Sequence, residues 1–230
     1  MLDSSATSLS AHGQPTPAAR HSDLRLGIVI EIVTIAWMVV EAAVALGAGF
    51  AARSASLESF GLDSVIELVG GGVLLWRLRA EQRGVAGEAL EETERRASRI
   101  VGWALYALAL YIIVNAAIAL LTRAHPEENW VGLGLAIAAV LVMPILWRLK
   151  LSVARRINSA ALRADAACSV SCAYMSLVLL AGLALTWAFG WWWADALASL
   201  GLLYFVIHEG HEALEEAKGH ACACGEAGCE

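Results

Sequence analysis

Charge is scarce in this chain. Only 17% of its 230 residues are Asp, Glu, Lys or Arg, against about 25% in soluble domains. Hydrophobic residues make up 59%, and mean hydropathy is +0.63. This composition excludes an ordinary soluble domain. Basic residues form no stripe beyond the flanks of the apolar runs, so nucleic acid is excluded as a partner. A signal peptide is absent too. The Ser-, Ala-, Pro- and His-rich start is followed by an apolar run too long for an h-region. No Lys or Arg is expected inside an apolar run away from its ends.

What the chain does have is apolar blocks of about 20 residues, long enough to cross a hydrocarbon core of about 30 Å. Six are read, at about 26–51, 57–78, 100–121, 130–149, 160–188 and 190–208. A spanning segment must satisfy its own backbone, so these are helices. The fold class is an all-α membrane protein with a six-helix transmembrane bundle. Of the 16 Lys and Arg residues, all but Arg53 and Arg123 fall in the two ends and in the connections after blocks two and four. By the positive-inside rule both termini are cytosolic, as an even number of spans requires. Residues 1–24 then form a disordered cytosolic tail, 25–210 the membrane domain and 211–230 a second cytosolic tail. The acidic run "GEALEETE", 87–94, reads as a solvated face. Trp130 and Trp191 to Trp193 belong at the outer interface, where aromatic rings settle.

Ionisable groups inside a span are costly and point to function. Glu31 and Glu41 lie in the first block, Asp63 and Glu67 in the second, Asp165, Cys168 and Cys172 in the fifth, and Asp195 in the sixth. Asp63 with Glu67, and Cys168 with Cys172, are each four residues apart and so share a helix face. Helix 2 runs inward and helix 5 outward, so the two pairs can face each other. Four such donors suit a tetrahedral divalent ion. Two carboxylates one turn apart in a low dielectric also repel unless a cation or proton separates them. Buried cysteines acting as small apolar fillers are the alternative for the thiols. A partner arginine is the alternative for the acids. Asp165 reads as a fifth donor or proton relay, or equally as the partner of Arg163 or a neighbouring arginine. Glu41 faces the bundle as a second proton site, Asp195 reads as an interfacial cap, and Glu31 has no assigned role. Gly70 to Gly72 offer a bend or close packing.

"ASLESFGLDSVIELVGGGVLL", "LRADAACSVSCAYMSLVLLAGLAL" and "GWWWADALASLGLLYFVIHEGHEAL" resemble the second, fifth and sixth helices of the cation diffusion facilitators, six-helix metal exporters. The resemblance covers roughly 25–215. It puts Asp63 and Glu67 on the family's DxxxD or HxxxD pair of helix 2. Cys168 and Cys172 fall on the corresponding pair of helix 5. Thiols at both helix 5 positions move the site toward softer ions: zinc, cadmium, lead or mercury rather than manganese or magnesium. The family also carries a cytosolic ferredoxin-like domain after helix 6, where only about 20 residues follow here. Those residues hold His208, His211, His220, Cys222, Cys224 and Cys229, and a CxC beside His in a reducing compartment reads as metal capture.

The resemblance implies export by metal–proton antiport, with no cofactor beyond the transported zinc or cadmium. It also implies a homodimer in a lipid bilayer, here a bacterial plasma membrane. A membrane thiol–disulfide enzyme needs a reactive pair and partner cysteines in an outer segment. This chain has CxxxC in mid-span and no outer cysteine, so it reads as a transporter and not an enzyme. A metal-binding sensor that does not transport remains the rival, and a channel fits poorly with four tight ligands.

Overall fold

The structure, a computed structural model, describes residues 17–84, 88–123 and 130–218. Six helices follow one another: α1 Pro17–Ala52, α2 Ala55–Gln82, α3 Glu88–Thr122, α4 Trp130–Ile157, α5 Ala160–Phe189 and α6 Trp192–Ala217. The first five are long and apolar enough to cross a membrane. α6 is the exception, because Glu209, Glu212 and Glu215 load its last turns with acid.

Each helix runs past its apolar block. α1 begins at Pro17, so 17–24 are helical rather than part of a disordered tail. α6 continues to Ala217, which places His208 and His211 on that helix and not in a tail. His220, Cys222, Cys224 and Cys229 lie outside the described residues. The largest departure is in α4. Its apolar block ends near Leu149, yet the helix goes on to Ile157, because Lys150, Val153, Ala154 and Ile157 form a buried stripe at helical spacing. Lys150, expected in a cytosolic connection, is therefore inside the bundle at 1% exposure.

Two tight turns set the architecture. Arg53 and Asn158 adopt left-handed backbone at φ 53° and 52°. Each is followed by a serine N-cap, Ser54 or Ser159, whose hydroxyl accepts from the amide of Leu57 or Leu162. The turns fold α1 back against α2 and α4 back against α5, and α1 packs on α4. α3 and α6 form a second close pair. There Gly102 and Gly210 admit near contact: a Cβ on Gly102 would sit 2.7 Å from Leu214 and 3.1 Å from the Gly210 carbonyl. α2 touches α3, α5 and α6, so it lies where the two groups of helices meet.

The interior combines apolar clusters with buried ionisable groups, among them Glu31, Glu41, Asp63 and Lys150. Phe60, Ile112, Leu179 and Leu202 centre one cluster, and Leu78, Val153 and Leu162 centre another toward the ends of α2 and α4. Large apolar side chains also cover the outside, among them Phe50, Trp103, Leu121, Leu141 and Phe189. Such an outer surface suits acyl chains and not water. Phe189, Trp191 and Trp193 stack in series beside the start of α6, and Trp130 meets Trp187 edge-on. Both aromatic groups sit at the helix ends assigned to the outer interface.

Candidate metal site

Asp63 and Glu67 stand nine and thirteen residues after the Ser54 cap. Cys168 and Cys172 stand nine and thirteen residues after the Ser159 cap. At 1.5 Å per residue both pairs lie about 13–20 Å from their caps. The caps are at opposite ends of the bundle, so equal offsets bring the pairs to the same depth, near the middle of a 30 Å layer. The local turns thus position the site.

The structure joins one member of each pair, Glu67 and Cys172, while Cys168 stands outside the group of acids that lie within 4.8 Å of one another. The Cys172 thiol donates to Glu67 Oε1 at 2.7 Å, from α5 to α2. Cys172 is buried and also packs on Met143 and Leu146 of α4, so its apolar role and its polar contact coexist. Asp63 is 2% exposed. Cys168 is exposed and stands one helical turn before Cys172 on α5. Glu209 of α6 is the residue that sequence reasoning missed. One carboxylate oxygen from each of Asp63, Glu67 and Glu209 lies within 4.8 Å of the others. The sixth apolar block ends at residue 208, one short of it. The spacing of Leu202, Val206 and Glu209, four and three residues, puts them on one helix face, and the structure buries all three.

Asp165 is not drawn into this cluster. Its carboxylate pairs with Lys150 Nζ at 2.5 Å, and the same ammonium lies 3.2 Å from Glu31 Oε2. This corrects two expectations. A basic residue does sit inside the bundle, and Asp165 takes it as partner, while Arg163 donates to Asn158 Oδ1 instead. It also gives Glu31 its role. Gly71 of α2 makes room for that group: a Cβ there would stand 2.9 Å from Glu31 Oε1. The glycine serves packing.

Glu41 faces inward, as its position suggested, and accepts from Trp37 Nε1 at 2.7 Å and Ser64 Oγ at 2.8 Å. Asp195 is a cap, but of another helix. It accepts from the Ser54 and Ser56 hydroxyls and from the Ala55 amide at 2.8 Å, closing the N-terminus of α2 from α6. Glu58, near the same end, accepts from Tyr111 OH of α3.

Comparison with known proteins places this architecture. The model of the cation efflux transmembrane domain matches residues 32–218. The chain belongs to the cation efflux family. The match bears out the resemblance to the cation diffusion facilitators and the six-helix fold. A relative, the uncharacterized transporter sll1263 of Synechocystis sp., is 32% identical over 178 residues, or 74% of this cation efflux chain. The chain spans 56% of that relative's length.

Proposed function

We propose that this cation efflux chain carries a thiophilic divalent cation, zinc or cadmium first and then lead or mercury, out of the cytosol in exchange for protons. Family membership supports metal cation transport as the activity. The observation that carries the finer reading is the meeting of the Cys172 thiol and the Glu67 carboxylate at 2.7 Å, sulfur from one helix and oxygen from another. Asp63, Glu67, Cys168 and Cys172 are the donors. A thiolate–carboxylate set favours zinc and cadmium over manganese and magnesium.

Binding from the cytosolic side displaces the thiol protons, because only the thiolate ligates. Rocking of the helices then opens the same donors outward, where incoming protons reclaim them and release the ion. The arginines on the α2–α3 and α4–α5 sides hold both termini in the cytosol, and the protein works as a homodimer. Cysteines 222, 224 and 229 with His220 deliver the ion to the bundle.

The test is zinc and cadmium uptake into inverted vesicles with a pH indicator inside. Wild-type protein gives metal uptake coupled to proton release. The Cys168→Ser, Cys172→Ser protein gives none at equal abundance. Binding without flux in the wild type would mark a sensor instead of a carrier.

A further inference from the structure

The geometry points to Glu209 as a further ligand of the transported cation, one that ties α6 and its partner α3 to a site otherwise built from α2 and α5. The inference rests on the site proposed above and adds to it.

Three observations converge. Glu209 shares a 4.8 Å cluster with Asp63 and Glu67. Oxygens bound to one ion at about 2.0–2.2 Å lie roughly 3.0–3.6 Å apart at the angles of a five-donor shell, so side-chain shifts of about an ångström bring all three oxygens onto one ion. Second, the cluster holds unanswered polar atoms. Asp63 Oδ1 and Glu209 Oε1 are buried without a hydrogen-bond partner, on side chains of residues only 2% and 7% exposed. Buried carboxylate oxygens ordinarily find a donor, and a cation supplies what these two lack. Third, among the described residues the buried ammonium has other partners. Lys150, the buried ammonium of this bundle, is engaged by Asp165 and Glu31.

The consequence is specificity. Without Glu209 the set is two oxygens and two sulfurs. With it, oxygens outnumber sulfurs, and the site moves toward borderline zinc and away from mercury and copper(I). The α3–α6 pair also gains a direct hold on the ion through Glu209, which sits next to Gly210, where α6 crosses Gly102 of α3.

The test uses the full-length chain with Cys222, Cys224 and Cys229 replaced by Ser, so that the bundle alone binds metal. Zinc and cadmium affinities are measured for four proteins: this background, E209Q, E209C and E212Q. Glu212 lies nearly one turn further along α6, exposed and near His208, and controls for nearby charge. E209Q is expected to weaken zinc binding at least about tenfold, the lower end of what supporting groups of metal sites contribute, and E212Q to leave it unchanged. E209C is expected to bind cadmium with an added thiolate-to-cadmium absorption band and a raised cadmium-to-zinc preference, which a merely structural role would not produce. Equal weakening by E209Q and E212Q, or an E209C protein without the added band, overturns the assignment of Glu209. A folded background protein that binds neither metal overturns the site on α2 and α5 itself.

Discussion

Lys150 of α4 holds Asp165 of α5 at 2.5 Å, and through its second contact, 3.2 Å to Glu31, it also holds α1. One ammonium fastens three helices about one turn of α5 from Cys168. Replacing Lys150 with Met leaves two carboxylates in the bundle without their counter-charge, which costs about 3–5 kcal/mol when a buried pair is broken. Thermal unfolding in detergent should show K150M strongly destabilised. The triple variant K150M, E31Q, D165N removes the stranded charges and should recover most of the loss. A triple variant as unstable as K150M would contradict this account of the triad.

Gly71 is coupled to the same group, because a Cβ there meets Glu31 Oε1 at 2.9 Å. Gly71→Ala should displace Glu31 from Lys150 and lower stability. Combined with K150M it should add less than it does alone, since contacting sites are not additive. A double-mutant cycle in the same unfolding assay checks this. Simple additivity would mean that the glycine serves another contact.

Asp195 closes the first turn of α2 across 140 residues of sequence, through Ala55 N at 2.8 Å and the hydroxyls of Ser54 and Ser56. Asp195→Ala removes a charged cap and leaves buried donors unmet, a loss of about 2 kcal/mol or more. Because α2 carries Asp63 and Glu67, the variant should also weaken metal binding. Asn, which keeps the acceptor oxygen, should fall between wild type and Ala. Stability and zinc affinity measured on the three proteins test the ordering.

The two cysteines should differ. Cys172 is buried against Glu67, and Cys168 is exposed. Cys168→Ser should retain more cadmium affinity than Cys172→Ser, and both should lose cadmium more than zinc, as the softer ion depends more on sulfur. Isothermal titration of each variant with each metal reads this directly.

Much of this fold could be read from the sequence. Apolar blocks announced the helices, and the i, i+4 pairs on α2 and α5 announced their common face. The cap offsets that align those pairs were also in plain view, since Ser54 and Ser159 precede their donors by the same count. What escaped lay at block edges. Hydropathy falls at Lys150 and at Glu209, and a reading by apolar runs stops there, although the helices continue because a backbone in a bundle has no cheaper way to satisfy itself. Both residues were legible only from the buried stripe each belongs to. Pairings between helices, such as Asp195 with α2 or Lys150 with Glu31, depend on which faces meet. No periodicity along one helix specifies that.

The central claim is that acids of α2 and thiols of α5 bind one ion together. X-ray absorption at the zinc edge, on full-length protein with Cys222, Cys224 and Cys229 changed to Ser, tests it most directly. The account predicts a mixed shell, with sulfur at about 2.3 Å and oxygen at about 2.0–2.2 Å, the sulfur signal vanishing in the C168S, C172S protein. A shell of oxygen or nitrogen alone around zinc in the protein that keeps Cys168 and Cys172 would contradict it.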